Sequence, residues 1–118
     1  MARSVPVGVV ETPEFLAATG KLMDEEERAA LIDYLAYHPA AGDLVRGTGG
    51  VRKLRWALQG RGKSGGVRVI YFYHDPGMPL FALTAYAKNE RADLSQQDRN
   101  EFRRLTALLV ETFKRRRP

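Results

Sequence analysis

VRKLRWALQGRGKSGGVRVIYFYHDPGMPLFALTAYAK, residues 51–88, contains three runs of strand-like composition separated by glycine- and proline-rich loops. The runs are 51–58, 67–74 and 80–87, and the second is rich in the β-branched and aromatic residues that favour strands. Asp75-Pro76-Gly77 before the third run favours a turn, because proline presets the first central φ and glycine permits the second. This stretch therefore predicts a three-stranded meander.

Segments outside the meander predict one more strand and three helices. The alternating apolar residues of 5–9 favour a short edge strand, since the proline among them cannot donate to a ladder. Helix-start signals and apolar spacing predict helices over 13–20, 24–38 and 95–113. The predicted fold is α+β, with a small antiparallel-rich twisted sheet packed with two N-terminal helices and one C-terminal helix.

Length and composition narrow the class of protein. A chain of 118 residues fits one domain, so we expect a single domain over 1–118 with a basic tail from about position 114. The absence of cysteine and the presence of only two histidines argue against structural zinc or iron–sulfur sites, and we expect no cofactor. No apolar run approaches the length of about 18 residues that spans a bilayer, so we expect a cytoplasmic protein without membrane contact.

Charge is segregated along the chain. The net charge is +5, yet residues 44–74 contain seven bases and no acid, whereas residues 1–43 contain eight acids and three bases. A field of one sign over the middle of a small domain favours a polyanionic partner, usually nucleic acid. The alternative is a basic face kept for solubility, although such faces normally interleave acids with bases.

Two cations of the first run are predicted to stand side by side on one face of the sheet. Residues two apart along a strand share a face, so Leu54, Trp56 and Leu58 point together toward the core. Lys53 and Arg55 then lie about 7 Å apart on the opposite face. Such a pair of cations can receive a phosphodiester.

The same alternation predicts the faces of the other two runs. Phe81 and Leu83 are expected on one face of the third run and Tyr86 on the opposite face. A five-residue loop at 75–79 pairs Arg68 with Tyr86, and it gathers the polar groups on one face. We expect that face to carry five candidate catalytic residues, which are Lys53, Arg55, Arg68, Tyr86 and Lys88.

Loop length decides this register. The five-residue loop also pairs His74 with Leu80. A four-residue loop would instead pair Arg68 with Ala85 and mix cations into the core face, which desolvation disfavours.

Further cations around this face are candidate contacts to RNA phosphates. Arg61 and Lys63 lie in the glycine-rich loop, where Lys63-Ser64 resembles the end of a P-loop. That alternative is disfavoured because position 57 is alanine rather than glycine and a strand, not a helix, follows. The candidate RNA contacts are Arg46, Arg52, Arg61, Lys63 and His74.

Three blocks of the sequence resemble the RelE/ParE superfamily of toxin–antitoxin toxins, and they are most similar to its HigB-like branch. The blocks are GTGGVRKLRW at 47–56, GKSGGVRVIY at 62–71 and LTAYAKNE at 83–90, followed by Asp93-Leu94. The resemblance runs through about residues 43–105. It implies a RelE-like fold and a ribosome-dependent mRNA endonuclease that cuts A-site codons.

The resemblance also implies a mechanism without a metal, in which the ribose 2′-hydroxyl attacks the adjacent phosphate and leaves a 2′,3′-cyclic phosphate. By position, Lys53 and Arg55 match the basic pair of the family, and Arg68 matches the arginine that opens the next strand. Lys53, among cationic neighbours, is a better candidate base than an arginine. Tyr86 and Lys88 would contact the base or protonate the leaving 5′-oxygen.

Partners and alternatives follow from the same resemblance. It implies a cognate antitoxin, typically of the helix-turn-helix type, through which the toxin oligomerises, together with mRNA on the ribosome and rRNA. The RelE type has a tyrosine where this chain has Leu94 and an arginine where it has Asn89, which leaves the general acid open. The alternatives are a ParE-like gyrase poison, which does not require the basic cluster, and a basic RNA- or ribosome-binding module without catalysis.

Overall fold

Residues 5–58, 66–91 and 93–116 are described by the computed structural model. In chain order their elements are β1 (Val9–Glu11), α1 (Pro13–Leu22), α2 (Glu25–Tyr37), β2 (Asp43–Leu44), β3 (Val51–Trp56), β4 (Val67–Phe72), β5 (Leu80–Ala87) and α3 (Gln96–Arg116). The predicted α+β class is confirmed. Strand β2 was not predicted, because two residues are too few to show a pattern.

Helix starts agree with the sequence signals. The Phe15 N–H donates to Thr12 Oγ1 at 3.1 Å, and the Glu27 N–H donates to the Asp24 carboxylate at 2.8 Å. Each side chain thus satisfies a backbone donor that has no partner within the helix. Thr12 also donates to the Ala82 carbonyl at 3.0 Å, which ties the start of α1 to the sheet.

The first strand was predicted too early in the chain. It covers Val9–Glu11 rather than 5–9, because the Val7 N–H donates instead to the Ala36 carbonyl of α2 at 2.9 Å. The predicted edge position is confirmed. The sheet order is β1-β5-β4-β3-β2, with β1 parallel to β5 and the remaining neighbours antiparallel.

The register of the meander is confirmed at its polar end. Arg68 of β4 pairs with Arg55 of β3 on one side and with Tyr86 of β5 on the other. The predicted pairing of His74 with Leu80 is wrong, because β4 ends at Phe72.

A β-bulge between the two ends of β5 explains this difference. Ile70 pairs with Thr84 while Tyr71 pairs with Ala82, so Leu83 is an extra residue without a partner on β4. The bulge reverses the alternation, and both Phe81 and Leu83 lie on the same face as Tyr86. The prediction that they face away from it is therefore wrong.

The two sheet faces carry separate cores. One face packs against α1 and α2 around the buried residues Phe15, Leu31, Leu35, Val69 and Tyr71. The other packs against α3 through Phe102, Leu105, Leu109, Val110 and Phe113 and contains Val51, Ile70, Phe72, Phe81, Leu83 and Tyr86. Arg55 is exposed and Arg68 is half-buried on this second face, so α3 leaves the polar end of the meander accessible.

A tight loop joins this face to α3. Thr48 is fully buried, and its hydroxyl donates to the Val45 carbonyl and accepts from the Val51 N–H. The Thr48 carbonyl accepts a hydrogen bond from the Thr106 hydroxyl of α3 at 3.0 Å. Gly49 makes this approach possible, because its φ is +77° and a Cβ there would lie 2.4 Å from Thr106 Oγ1.

Candidate active site

A row of three side chains crosses the accessible end of the meander. Arg55, Arg68 and Tyr86 are paired in register on β3, β4 and β5. Adjacent strands lie about 4.8 Å apart, so the row spans about 10 Å. Arg55 is exposed and Arg68 is half-buried, whereas Tyr86 is only 3% exposed. The row therefore presents cations, and its phenol lies beneath the surface.

Lys53 belongs to the same face as Arg55, two residues earlier on β3. Its Nζ lies 3.4 Å from Asp93 Oδ1, and the other carboxylate oxygen accepts from Arg99 Nη2 at 3.2 Å. Asp93 thus bridges β3 and α3. Lys53 therefore has an acidic neighbour in addition to the cationic neighbours expected from the sequence.

Asp93 is held firmly as an anion. The N–H of Leu94 donates to its carboxylate at 2.8 Å, and this bond, followed by those from Lys53 and Arg99, keeps the pKa of Asp93 below its ordinary value. A bound phosphate would compete with this carboxylate for the same two cations.

A depression of about 290 Å³ lies beside the row. Arg46 joins the cations around it, and the Arg46 carbonyl accepts from Arg99 Nη1 at 3.1 Å. The lining residues are Asp43, Leu44, Val45, Arg46, Lys53, Arg55, Asp93 and Arg99. The structure thus brings Arg46 together with Lys53 and Arg55, as expected for residues that bind one polyanion.

Tyr86 lies under a fourth cation. The guanidinium carbon of Arg91 stands 4.5 Å from the centroid of the Tyr86 ring. The phenol oxygen is buried, with no hydrogen-bond partner among the described residues. Burial, reinforced by the charge of Asp93, raises the pKa of Tyr86.

The start of α3 fixes Arg91. Arg91 Nη1 lies 3.2 Å from Asp98 Oδ2, which also accepts the Ser95 N–H at 3.0 Å. The Asp98 N–H donates in return to the Ser95 hydroxyl at 3.0 Å. This reciprocal cap is a sequence signal, a serine followed three residues later by an acid, and it could have located Asp98. Arg91 itself lies in a loop, where no periodicity reveals it.

Arg52 does not join the site. It lies on the opposite face of β3 from its neighbour Lys53, and its Nη1 donates to the carbonyls of Gly42 and Ala40 at 2.7 and 3.1 Å. This guanidinium holds the segment before β2, so the structure gives it a stabilising role in the fold.

Of the remaining candidates, His74 lies far from the row, Lys88 lies just beyond its β5 end, and two fall outside the described residues. His74 follows β4 at its far end, six residues from Arg68, which corresponds to about 20 Å of extended chain. Lys88 is exposed just after β5, where its N–H donates to the Gly66 carbonyl at 3.1 Å. Arg61 and Lys63 fall outside the part of the chain that the structure describes.

Two features are absent from the part of the chain that the structure describes. No three histidine, aspartate or glutamate side chains lie together as metal ligands would. None of the described helices is long and apolar enough to cross a membrane.

The three helices and the mixed five-stranded sheet are consistent with a RelE-like fold. The family model described as RelE toxin of the RelE/RelB toxin–antitoxin system matches residues 36–116, well over half of the chain. The chain belongs to the RelE toxin family. It is therefore a toxin of a toxin–antitoxin system, and an antitoxin is its partner.

Substituting Asp93→Asn should strengthen binding of single-stranded RNA by about fivefold, because a partly exposed ion pair worth up to about 1 kcal/mol no longer competes for Lys53 and Arg99. Fluorescence anisotropy with a short labelled RNA at fixed salt measures this. Asp33→Asn on α2 makes the same charge change away from the row and is the control. Equal affinities of the two variants would show that Asp93 does not compete with RNA.

Proposed function

We propose that this toxin is a ribosome-dependent endoribonuclease that cleaves mRNA at A-site codons without a metal. The observation that carries the proposal is the register of Arg55 and Arg68 on adjacent strands, with Lys53 on the same face. Membership of the RelE family supports it. The HigB-like blocks of the sequence favour a helix-turn-helix antitoxin, and action on ribosomes places the protein in the cytoplasm.

The proposed reaction is an internal transesterification. The 2′-oxygen forms a bond to the adjacent phosphorus, the bond from phosphorus to the 5′-oxygen breaks, and a 2′,3′-cyclic phosphate and a 5′-hydroxyl result. Negative charge accumulates on the phosphoryl oxygens in the transition state. Arg55 and Arg68 lie close enough to stabilise that charge together, and preorganised cations in a folded protein do so effectively.

Lys53 is the proposed base for the 2′-hydroxyl proton, and Asp93 is the group that its amine must leave before it meets the substrate. Tyr86 and Lys88 complete the proposed set at the β5 side of the row. Arg46 and the loop cations Arg61 and Lys63 are proposed to bind flanking phosphates of mRNA or rRNA, since phosphate contacts supply most of the affinity for nucleic acid.

Mapping RNA ends tests the proposal. With purified ribosomes carrying a defined A-site codon, we expect the protein to cut within that codon and to leave the same mRNA intact when ribosomes are omitted. The 3′ ends of the upstream fragments should carry a cyclic phosphate. DNA breaks without such cuts in cells would indicate a gyrase poison, and ribosome binding without cuts would indicate a non-catalytic module.

A further inference from the structure

We propose that Arg91 is a further catalytic residue of this toxin and that Tyr86 supports it from beneath. The proposal rests on the proposed nuclease function. Both residues lie at the β5 end of the row, whereas Lys53 lies on β3 beside Arg55.

Arg91 lies at the surface where the row would otherwise present Tyr86. Tyr86 stands third in the row after Arg55 and Arg68, but its side chain is only 3% exposed. The guanidinium of Arg91 covers the ring at 4.5 Å, and the Arg91 side chain is 41% exposed. A substrate that crosses the row therefore meets three guanidinium groups, with Arg91 in the place where the sequence predicted a phenol.

Two contacts restrain the guanidinium of Arg91. A guanidinium held over a ring face by a cation–π contact and paired with a carboxylate has little freedom left. Asp98 supplies that carboxylate at 3.2 Å and is itself fixed by the cap at the start of α3. Arginine has five N–H donors, so the donors that do not face Asp98 remain for a phosphate.

The Tyr86 hydroxyl is not placed to act as the general acid. A general acid must come within about 3 Å of the atom that it protonates. The Tyr86 hydroxyl is buried below Arg91 and makes no hydrogen bond within the described part of the chain. The groups whose charges act on it are Arg68 of β4, Arg91 and Asp93 of the loop, and Asp98 of α3. This arrangement therefore uses the face of the Tyr86 ring and not the Tyr86 hydroxyl.

The positions of Lys53 and Arg91 fit the two reacting oxygens, the 2′-hydroxyl and the leaving 5′-oxygen. Lys53 lies beside Arg55 on β3 and Arg91 lies over Tyr86 of β5. A phosphate on Arg55 and Arg68 could therefore direct its 2′-hydroxyl toward the β3 side and its leaving 5′-oxygen toward the β5 side. Arg91 stabilises the negative charge that develops on the leaving oxygen, which takes its proton from water. Beyond Arg91, a depression of about 520 Å³ that reaches Lys21 and Leu22 of α1 offers room for the departing nucleoside.

Single-turnover cleavage on programmed ribosomes, with toxin in excess, tests the assignment. We expect Arg91→Gln to cleave about 100-fold more slowly, as when one donor to a developing oxyanion is removed. Tyr86→Phe keeps the ring and separates the two roles of Tyr86: a loss below about threefold fits a supporting ring, whereas loss of a true general acid costs about 100-fold or more. Tyr86→Leu should lose activity like Arg91→Gln, and Arg91→Lys should recover part of it.

Two results would overturn the assignment. They are full activity in Arg91→Gln, and a large loss in Tyr86→Phe, which would identify the phenol as the acid and Arg91 as its cover. Urea unfolding of each variant separates a failure to fold from a loss of chemistry. Arg104→Gln, an exposed arginine on α3, is the matched control.

A second readout does not depend on cleavage. Binding of an RNA whose scissile 2′-hydroxyl is replaced by hydrogen should weaken in Arg91→Gln, with a salt dependence reduced by about one phosphate contact, and should be unchanged in Tyr86→Phe. Equal binding and an equal salt dependence in Arg91→Gln and the unchanged protein would refute the contact. If the unchanged protein binds RNA but never cleaves on ribosomes, the proposed function fails, while this comparison still decides whether Arg91 touches RNA.

Discussion

Arg68→Ala should reduce cleavage of A-site codons by at least about 100-fold, because it removes the central cation of the row from a preorganised position. Arg68 lies between Arg55 and Tyr86 on the middle strand of the meander, so no neighbouring side chain can take its place. It is half-buried and makes no contribution to either apolar core, so the fold should persist. Growth arrest on induction should disappear together with cleavage.

The measurement is single-turnover cleavage, with circular dichroism and urea unfolding to confirm that the variant is folded. Arg104→Ala on the outer face of α3 removes the same charge away from the row and should cleave normally when the toxin saturates the ribosomes. Arg68→Lys should be intermediate, because an ammonium lacks the paired donors of a guanidinium. A toxin that still arrests growth and cleaves with alanine at position 68 would remove the catalytic role from this row.

Gly49→Ala should destabilise the protein more than Gly47→Ala in the same loop before β3. An L-residue at φ +77° costs about 1–2 kcal/mol, and the added Cβ would lie 2.4 Å from Thr106 Oγ1. Relief of that clash breaks the buried bond from Thr106 to the Thr48 carbonyl, which costs a further 1–3 kcal/mol, roughly. We expect a total loss of about 3 kcal/mol in the free energy of unfolding.

Gly47 provides the matched control, because its φ is +80° but nothing lies within 4 Å of an added Cβ. Gly47→Ala should therefore lose only the backbone contribution of about 1–2 kcal/mol. Urea unfolding followed by circular dichroism measures both variants, and the slope with denaturant should be unchanged. Equal losses at the two positions would show that the contact between this loop and α3 adds no stability.

The polar end of the sheet was predictable because its pattern is unambiguous. From Lys53 to Trp56 in β3, charged and apolar residues alternate, so Lys53 and Arg55 were expected on one face and Leu54 and Trp56 on the other. The penalty for burying cations then selected the pairing of Arg68 with Tyr86, which the structure confirms. The same alternation places Arg52 on the opposite face, yet its charge suggested an RNA contact, and only its bonds to the carbonyls before β2 show its use.

The bulge in β5 could not be predicted, because nearly every residue of that strand is buried on one face or the other. LFALTAYA has almost no contrast between apolar and polar positions, so a reversal of its alternation leaves no trace in the sequence. Arg91 and Asp93 were not predicted as site residues, for a different reason. Both lie in the connection between β5 and α3, where tertiary contacts alone determine which side chains meet.

The bulge at Leu83 gives β5 one spare residue of length. Ile70 with Thr84 and Tyr71 with Ala82 are consecutive pairs, so a strand lacking position 83 would still join the same partners. The half of β5 that packs under α3 and the half that carries Tyr86 can therefore vary independently in evolution. When relatives of this toxin are aligned, a gap of one residue belongs at position 83, and placing it after Tyr86 would misassign Tyr86.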